Sequence, residues 1–226
     1  MKSNKFLHFI TCCMIFFAST NVCAEPVAKE AAINFAETKG KELLEVFQEE
    51  NLAKRYQILD EMILEYLDIK YISKFLVGKH WRMMTSEQKD AYEKIFVRYG
   101  LAFYKTLPLE YAKNIVYSIV GANVDGAYTN VLANVEFGLG EEVQNITVSF
   151  RLHRVSGKIK IVDVKVVESS LLLSYRSKFY EMIAQSDNEI DWFLEDLTDI
   201  TLSMEENLKQ KVLLQQKDLE IVDKTR

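Results

Sequence analysis

The chain has 226 residues, with 28 Lys and Arg against 33 Asp and Glu, a formal net charge of −5 and an apolar fraction of 49%. That length supports one sizeable core in a single domain. The acid excess argues against a nucleic-acid partner, which selects a basic face, and gives no broad attraction to anionic membrane surfaces.

Residues 1–24 read as an export signal: Lys2 and Lys5 precede a mostly apolar run from Phe6 to Ala18, and Val22-Cys23-Ala24 offers small residues for cleavage. The run is shorter than the ~20 residues of a membrane span. Thr20 and Val22 fit a lipoprotein signal poorly. Cys12, Cys13 and Cys23 all lie inside this segment. The exported remainder therefore has no cysteine for disulfides, nucleophilic catalysis or thiolate–metal sites. Loss of Lys2 and Lys5 also makes it two charges more negative.

Two prolines, Pro26 and Pro108, and the absence of any Pro/Gly/Ser-rich linker predict a single domain over 25–204. The helical period starts near Ala28 and runs to Glu50, with Ala32, Phe35, Ala36, Leu43, Leu44 and Phe47 on one side and Gly40 as a weak point. Further helices are expected over 52–66 and 69–77, the latter ending at Gly78. Thr85 with Gln88 forms a capping box for a helix over 86–106, which stops at Leu107-Pro108. From residue 113 the period becomes two. Strands are expected over 114–122, 128–137, 145–152 and 158–167, with turns at Asp125-Gly126, Gly138-Leu139-Gly140 and Ser156-Gly157. Helical patterning returns over 171–184 and 189–201. A charged tail over 205–226 has thinner periodicity and reads as either a frayed helix or a disordered end. This is an α+β chain whose antiparallel meander presents one apolar face for helices to cover.

Catalytic equipment is sparse. Gly78-Lys79-His80-Trp81-Arg82 lacks the glycine and the Ser or Thr of a phosphate loop, and His80 has no partner in sequence, so this stretch reads as a turn between helices. With only His80 and His153 beyond the signal, no metal-ligand spacing exists. Asp187-Asn188-Glu189-Ile190-Asp191 lacks the glycine and glutamate placement of a calcium loop. Asp163 is the one carboxylate of interest. It could be a base in a cavity, or face outward between Lys160 and Lys165 or pair with Arg151. The strand alternation favours the outward placement. The remaining feature is apolar surface: Val131, Ala133, Val135 and Phe137 on one strand, Ile146, Val148, Phe150 and Leu152 on the next, and Tyr99, Phe103, Tyr104 and Leu107 from a covering helix. Patterning alone does not separate a cavity from a filled core.

Gly78-Lys79-His80-Trp81-Arg82 followed by Met84-Thr85-Ser86-Glu87-Gln88 resembles the G-x-x-W-R-x-x-T-x-E-Q signature of the toluene-tolerance, or MlaC, family. Phe96, Tyr104 and Leu109-Glu110-Tyr111 continue the likeness, as do Asp163-Val164, Ser170-Leu171 and Ser174-Tyr175-Arg176-Ser177-Lys178-Phe179. Ile159 stands where the family usually has Trp, and Val167-Glu168 where it has Glu-Gly. The tail beyond 205 is outside the pattern.

The resemblance implies an NTF2-like fold: a curved antiparallel sheet of about four to five strands under a helical layer, with an apolar cavity between them. It implies a monomeric periplasmic phospholipid carrier of a Gram-negative bacterium that supports outer-membrane lipid asymmetry. Such a carrier needs no cofactor, phospholipid being its cargo, and performs no catalysis. Its partners would be an outer-membrane lipoprotein–porin complex and an inner-membrane ABC transporter with an MCE subunit. The lipid-binding residues expected on that basis are Tyr99, Phe103, Tyr104, Leu109, Val131, Ala133, Val135, Ile146, Val148, Phe150, Leu171, Leu173, Tyr175 and Phe179. Arg176, Lys178 or Lys79 would meet the head group or a partner. The alternative is an exported small-molecule enzyme on the same scaffold with Asp163 as base.

Overall fold

The computed structural model describes residues 26–106, 115–139 and 142–224. The export signal, the stop at Leu107-Pro108, Leu109-Glu110-Tyr111 and Gly140 lie outside the described residues. The chain forms α1 (Lys29–Gln48), α2 (Leu52–Tyr66), α3 (Ile69–Val77) and, after a 3₁₀ turn at Gly78–Arg82, α4 (Ser86–Thr106). Then come β1 (Val116–Asp125), β2 (Tyr128–Leu139), β3 (Glu142–Val155), β4 (Lys158–Val166), the two-residue β5 (Ser169–Ser170), α5 (Leu171–Gln185) and α6 (Ile190–Lys224). The strands make one curved, open antiparallel sheet in chain order, so the class is α+β. Gly138 and Leu139, expected in a turn, extend β2 instead.

Side-chain caps fix where the helices begin. Asn51 accepts from the Lys54 N–H at 3.0 Å, Asp68 from the Tyr71 N–H at 2.9 Å, and Ser170 from the Leu173 N–H at 3.0 Å. The Thr85 box closes in both directions: Gln88 N–H donates to Thr85 Oγ1 at 3.2 Å, and Thr85 N–H donates to Gln88 Oε1 at 3.0 Å.

Register places the apolar residues of β2 and β3 on one face, with Val131 opposite Phe150, Ala133 opposite Val148 and Val135 opposite Ile146. Helix α1 covers the β1–β2 end of that face, where Val27, Ala32 and Ala36 pack with Val131 and Leu152. Tyr117 donates its hydroxyl to the Ala36 carbonyl at 2.5 Å, and its ring occupies the room a side chain at Gly40 would need. At the far edge, Leu67 bridges to Ile161 of β4 and the Asp68 N–H donates to the Ile161 carbonyl at 2.9 Å. Asp68 also reaches His153 of β3, 2.8 Å from its Nε2, pinning the start of α3 to the sheet.

A second core is aromatic. Tyr92, Phe96, Phe179 and Phe193, on α4, α5 and α6, pack in tilted and edge-to-face contacts with ring centroids 5.7 to 6.1 Å apart. The Tyr92 hydroxyl is satisfied by the Ser73 carbonyl of α3 at 2.9 Å. From 205 to Lys224 the chain is helical and continues α6, a 35-residue helix about 50 Å long at 1.5 Å per residue. Leu208 is buried, Glu205 pairs with Arg98 at 2.6 Å, and Gln215 bonds to the start of α2.

Candidate functional site

Between α3, α4 and α5 on one side and β4 on the other lies a cavity of about 220 Å³. Helix periodicity makes its walls. Ile69, Ile72 and Leu76 share one side of α3, and Phe96, Tyr99, Gly100, Phe103 and Tyr104 share one side of α4. Leu171, Leu172 and Tyr175 contribute from the first turn and a half of α5, and Ile161 to Val164 from β4. Leu171 lines the cavity and is 39% exposed, which puts an opening beside the start of α5. A second, larger cleft of about 580 Å³ between α1 and α2 sets Glu42, Glu45, Glu49, Glu61 and Glu65 among Val46, Ile58, Met62 and Tyr66, so an apolar ligand there would meet five carboxylates.

Of the fourteen expected lipid-binding residues, Tyr99, Phe103, Tyr104, Leu171 and Tyr175 are brought together in this cavity. Val131, Ala133 and Val148 are buried on the helix-covered sheet face, with Val135, Ile146 and Phe150 half-buried beside them, and none of these lines the cavity. Phe179 is fully buried in the aromatic core, Leu173 is 56% exposed, and Leu109 falls outside the described residues. The α3 stripe, Gly100 and the β4 residues Ile161, Val162 and Val164 complete the walls. The α3 stripe reads in sequence as an ordinary core face. Gly100 carried a usable signal, because an interior helical glycine lowers stability unless its missing side chain leaves needed space.

Asp163 does not face outward, and it does not pair with Arg151. It is buried at the cavity wall. A bulge lies here, Arg151 opposing Asp163 but Leu152 opposing Ile161 with Val162 the extra residue, and the head of α5 closes over the carboxylate. Both Asp163 oxygens are engaged at the head of α5. Ser170 donates its hydroxyl to Oδ2 at 2.7 Å, and the Leu172 N–H donates to Oδ1 at 3.0 Å. The carboxylate holds an N-terminal turn where the helix dipole favours negative charge. The bend before it is tight, with Val167 at φ +48° and Glu168 at φ +67°, where the resembled family carries Glu-Gly.

The Gly78–Arg82 turn is structural. Gly78 has φ +50°, and a side chain there would strike the Tyr180 hydroxyl and the Arg176 guanidinium. Lys79 N–H donates to the Tyr180 hydroxyl at 3.1 Å, and Arg176 stacks over Phe75 and Tyr180 at 4.7 and 5.2 Å. Burial works to raise the Tyr180 phenol, but the Lys79 N–H and the Arg176 and Lys79 charges together hold it below its usual value. Trp81 packs across the corner on Tyr92, its ring centroid 6.2 Å away. The Gly-x-x-Trp-Arg and Tyr-Arg-Ser segments, nearly 100 residues apart, thus form one clamp between α3 and α5.

Within the cavity, burial pushes the phenols of Tyr99 and Tyr104 up to about 12 and raises that of Tyr175, so all three are neutral at physiological pH. Among the described residues no group of three or more His, Cys, Asp or Glu side chains is placed to hold a metal ion.

Comparison with curated proteins gives no significant match. Among solved structures, the chain is similar to the phospholipid-binding protein from Ralstonia solanacearum, solved in complex with a phospholipid. The TM-score is 0.62 at 17% sequence identity, over 76% of this chain and 98% of that one. The two share a fold. A family model, that of the MlaC protein, matches residues 38–199, a span that takes in both halves of the α3–α5 clamp and every wall of the cavity; the chain belongs to the MlaC family.

Proposed function

We propose that the protein is a phospholipid carrier of the periplasm, taking acyl chains into the cavity between α3, α4, α5 and β4. The observation that carries this reading is the apolar lining of that cavity in a member of the MlaC family. The phospholipid in the Ralstonia solanacearum structure supports it. An acyl chain crossing water exposes about 0.8 kcal/mol per methylene, so two long chains cost on the order of 20 kcal/mol, and an apolar pocket lowers that cost with no bond made or broken. At about 220 Å³ the cavity is below the roughly 300–1,000 Å³ of common ligand sites, so loading requires the helices to spread from β4. On this reading an outer-membrane lipoprotein–porin complex and an inner-membrane ABC transporter with an MCE subunit are the docking partners between which the carrier shuttles.

The test is native mass spectrometry of the signal-less chain purified from a periplasm without detergent, followed by organic extraction. A stoichiometric phospholipid adduct is expected. A clean apo mass with no uptake from liposomes would overturn the reading.

A second reading, an exported enzyme with Asp163 as base, draws on the burial of Asp163 at the cavity wall. The occupied oxygens weigh against it, since a base needs reach to a substrate proton. Asp163→Asn separates the two. As a cap, Asp163 should leave lipid uptake in place and lower stability by about 1–3 kcal/mol, read by thermal melting alongside uptake.

A further inference from the structure

The described tyrosines divide sharply by location. Tyr66, Tyr71, Tyr92, Tyr117, Tyr128 and Tyr180 all have hydrogen-bonded hydroxyls. Tyr99, Tyr104 and Tyr175 have no hydrogen-bond partner among the described residues, and all three line the cavity. Their rings surround one side chain. Phe103 lies 6.2 Å from Tyr99, 5.8 Å from Tyr104 and 5.0 Å from Tyr175. None of the three hydroxyls is fully enclosed without a partner; each is left open at the cavity, free to donate there, as the polar handle of an otherwise apolar ring.

The surroundings limit what they can bind. Among the described residues no Lys, Arg or His lines the cavity, so a phosphate there would have no countercharge from them. The nearby carboxylate of Asp163 is engaged with Ser170 and Leu172, and its charge disfavours a second anion. The phenols stay neutral, with burial pushing Tyr99 and Tyr104 up to about 12, so they donate throughout the physiological range. Beyond the collar the walls are Ile72, Leu76 and Phe96. The matching chemistry is a neutral carbonyl oxygen at the head of a long apolar chain.

We propose that Tyr99, Tyr104 and Tyr175 form a hydrogen-bond-donating collar around Phe103 that takes the acyl carbonyl oxygens of an ester lipid, with its phosphate left outside the cavity. This rests on the carrier reading and deepens it, because it makes the ester linkage, and not the head group, the polar feature the protein recognises. A free fatty acid offers the same acyl oxygen, but as a carboxylate it would meet Asp163.

The experiment loads the signal-less chain from vesicles of phosphatidylglycerol in two forms with equal chains, one diacyl ester and one dialkyl ether, with oleic acid as a third arm. Native mass spectrometry reads occupancy. The wild type is expected to favour the ester over the ether about tenfold and to take oleic acid less well than the ester. In Tyr99→Phe/Tyr104→Phe/Tyr175→Phe the ester-to-ether ratio should fall to near one, without loss of thermal stability, since no internal hydrogen bond is removed. Tyr117→Phe, which loses a bond outside the cavity, should keep the wild-type ratio. Equal uptake of ester and ether by the wild type, or an unchanged ratio in the triple variant, would overturn the collar while leaving carriage intact. Preference for oleic acid would overturn the ester assignment. No uptake of any lipid would overturn the carrier reading and the collar with it.

Discussion

His80 shows what burial does to a titratable side chain in this protein. Its ring meets Tyr180 edge-on at 5.1 Å, and burial, aided by the Lys79 charge, holds the imidazole below its ordinary 6.5. Below pH 6.5 the unfolded chain takes up a proton there that the folded chain resists, so stability is full above that value and falls as pH drops through the folded pKa. Asp68 is shifted the same way for a different reason, its carboxyl lowered chiefly by the contact with His153. Its contribution is present above 3.8 and lost as pH falls below that. Two acid windows follow, and His80→Phe should flatten the upper one and spare the lower, measured by urea melts at pH 7, 5.5 and 3.5. Neither window could be read from sequence. His80 is legible as part of a turn, but the ring that buries it comes from Tyr180, a hundred residues away.

At the scale of elements, local chemistry was legible and long-range support was not. Thr85 and Gln88 announce the start of α4 because both partners of the cap lie within four residues. Helix α6 is the contrary case. Past residue 205 its contact positions, Leu208 and Gln215, are diluted by Lys, Gln and Glu, so the apolar period thins although the helix continues to Lys224. Gln215 acts as a remote cap: its Oε1 accepts from the Leu52 N–H and its Nε2 donates to the Glu50 carbonyl, each at 2.8 Å. It satisfies one of the donors that the first turn of α2 leaves open. Gln215→Ala should cost about 0.5–1.5 kcal/mol, visible as a lower urea midpoint with an unchanged slope. Asp163 is a related case, since the partners that enclose it, Ser170 and the Leu172 N–H, lie beyond a bend at Val167 and Glu168, and no residue type at Val162 signals the bulge beside it.

For the whole molecule, the question left open by patterning was whether the apolar face encloses space. A helix that lines a cavity and one that lines a core show the same stripe, as Ile69, Ile72 and Leu76 do. What distinguishes them is a residue that is too small. A Cβ added at Gly100 would meet no atom within 4 Å beyond its own turn of helix, and Gly100 sits in the cavity wall in the second half of α4. The helix gives up roughly 0.5–1 kcal/mol for a glycine there. Gly100→Leu should therefore raise the melting temperature while cutting lipid occupancy several-fold, by calorimetry and native mass spectrometry on the same preparation. A variant both less stable and fully loaded would show that the space at Gly100 does not serve cargo.

The sheet ends, at β1, in a border with a hazard of its own. Among the described residues no strand pairs with its outer side, residues 115–124 carry no charge, and Val116, Val120 and Val124 are 63%, 55% and 47% exposed. A border of that kind is a template on which another chain can polymerise. The irregularity between Ile119 and Gly121 interrupts it, kinking the strand at Val120 so that no long flat run is presented. The border also stands three strands away from β4, which walls the cavity. Colloidal self-association, when it comes, would start on the side of the molecule away from the cavity.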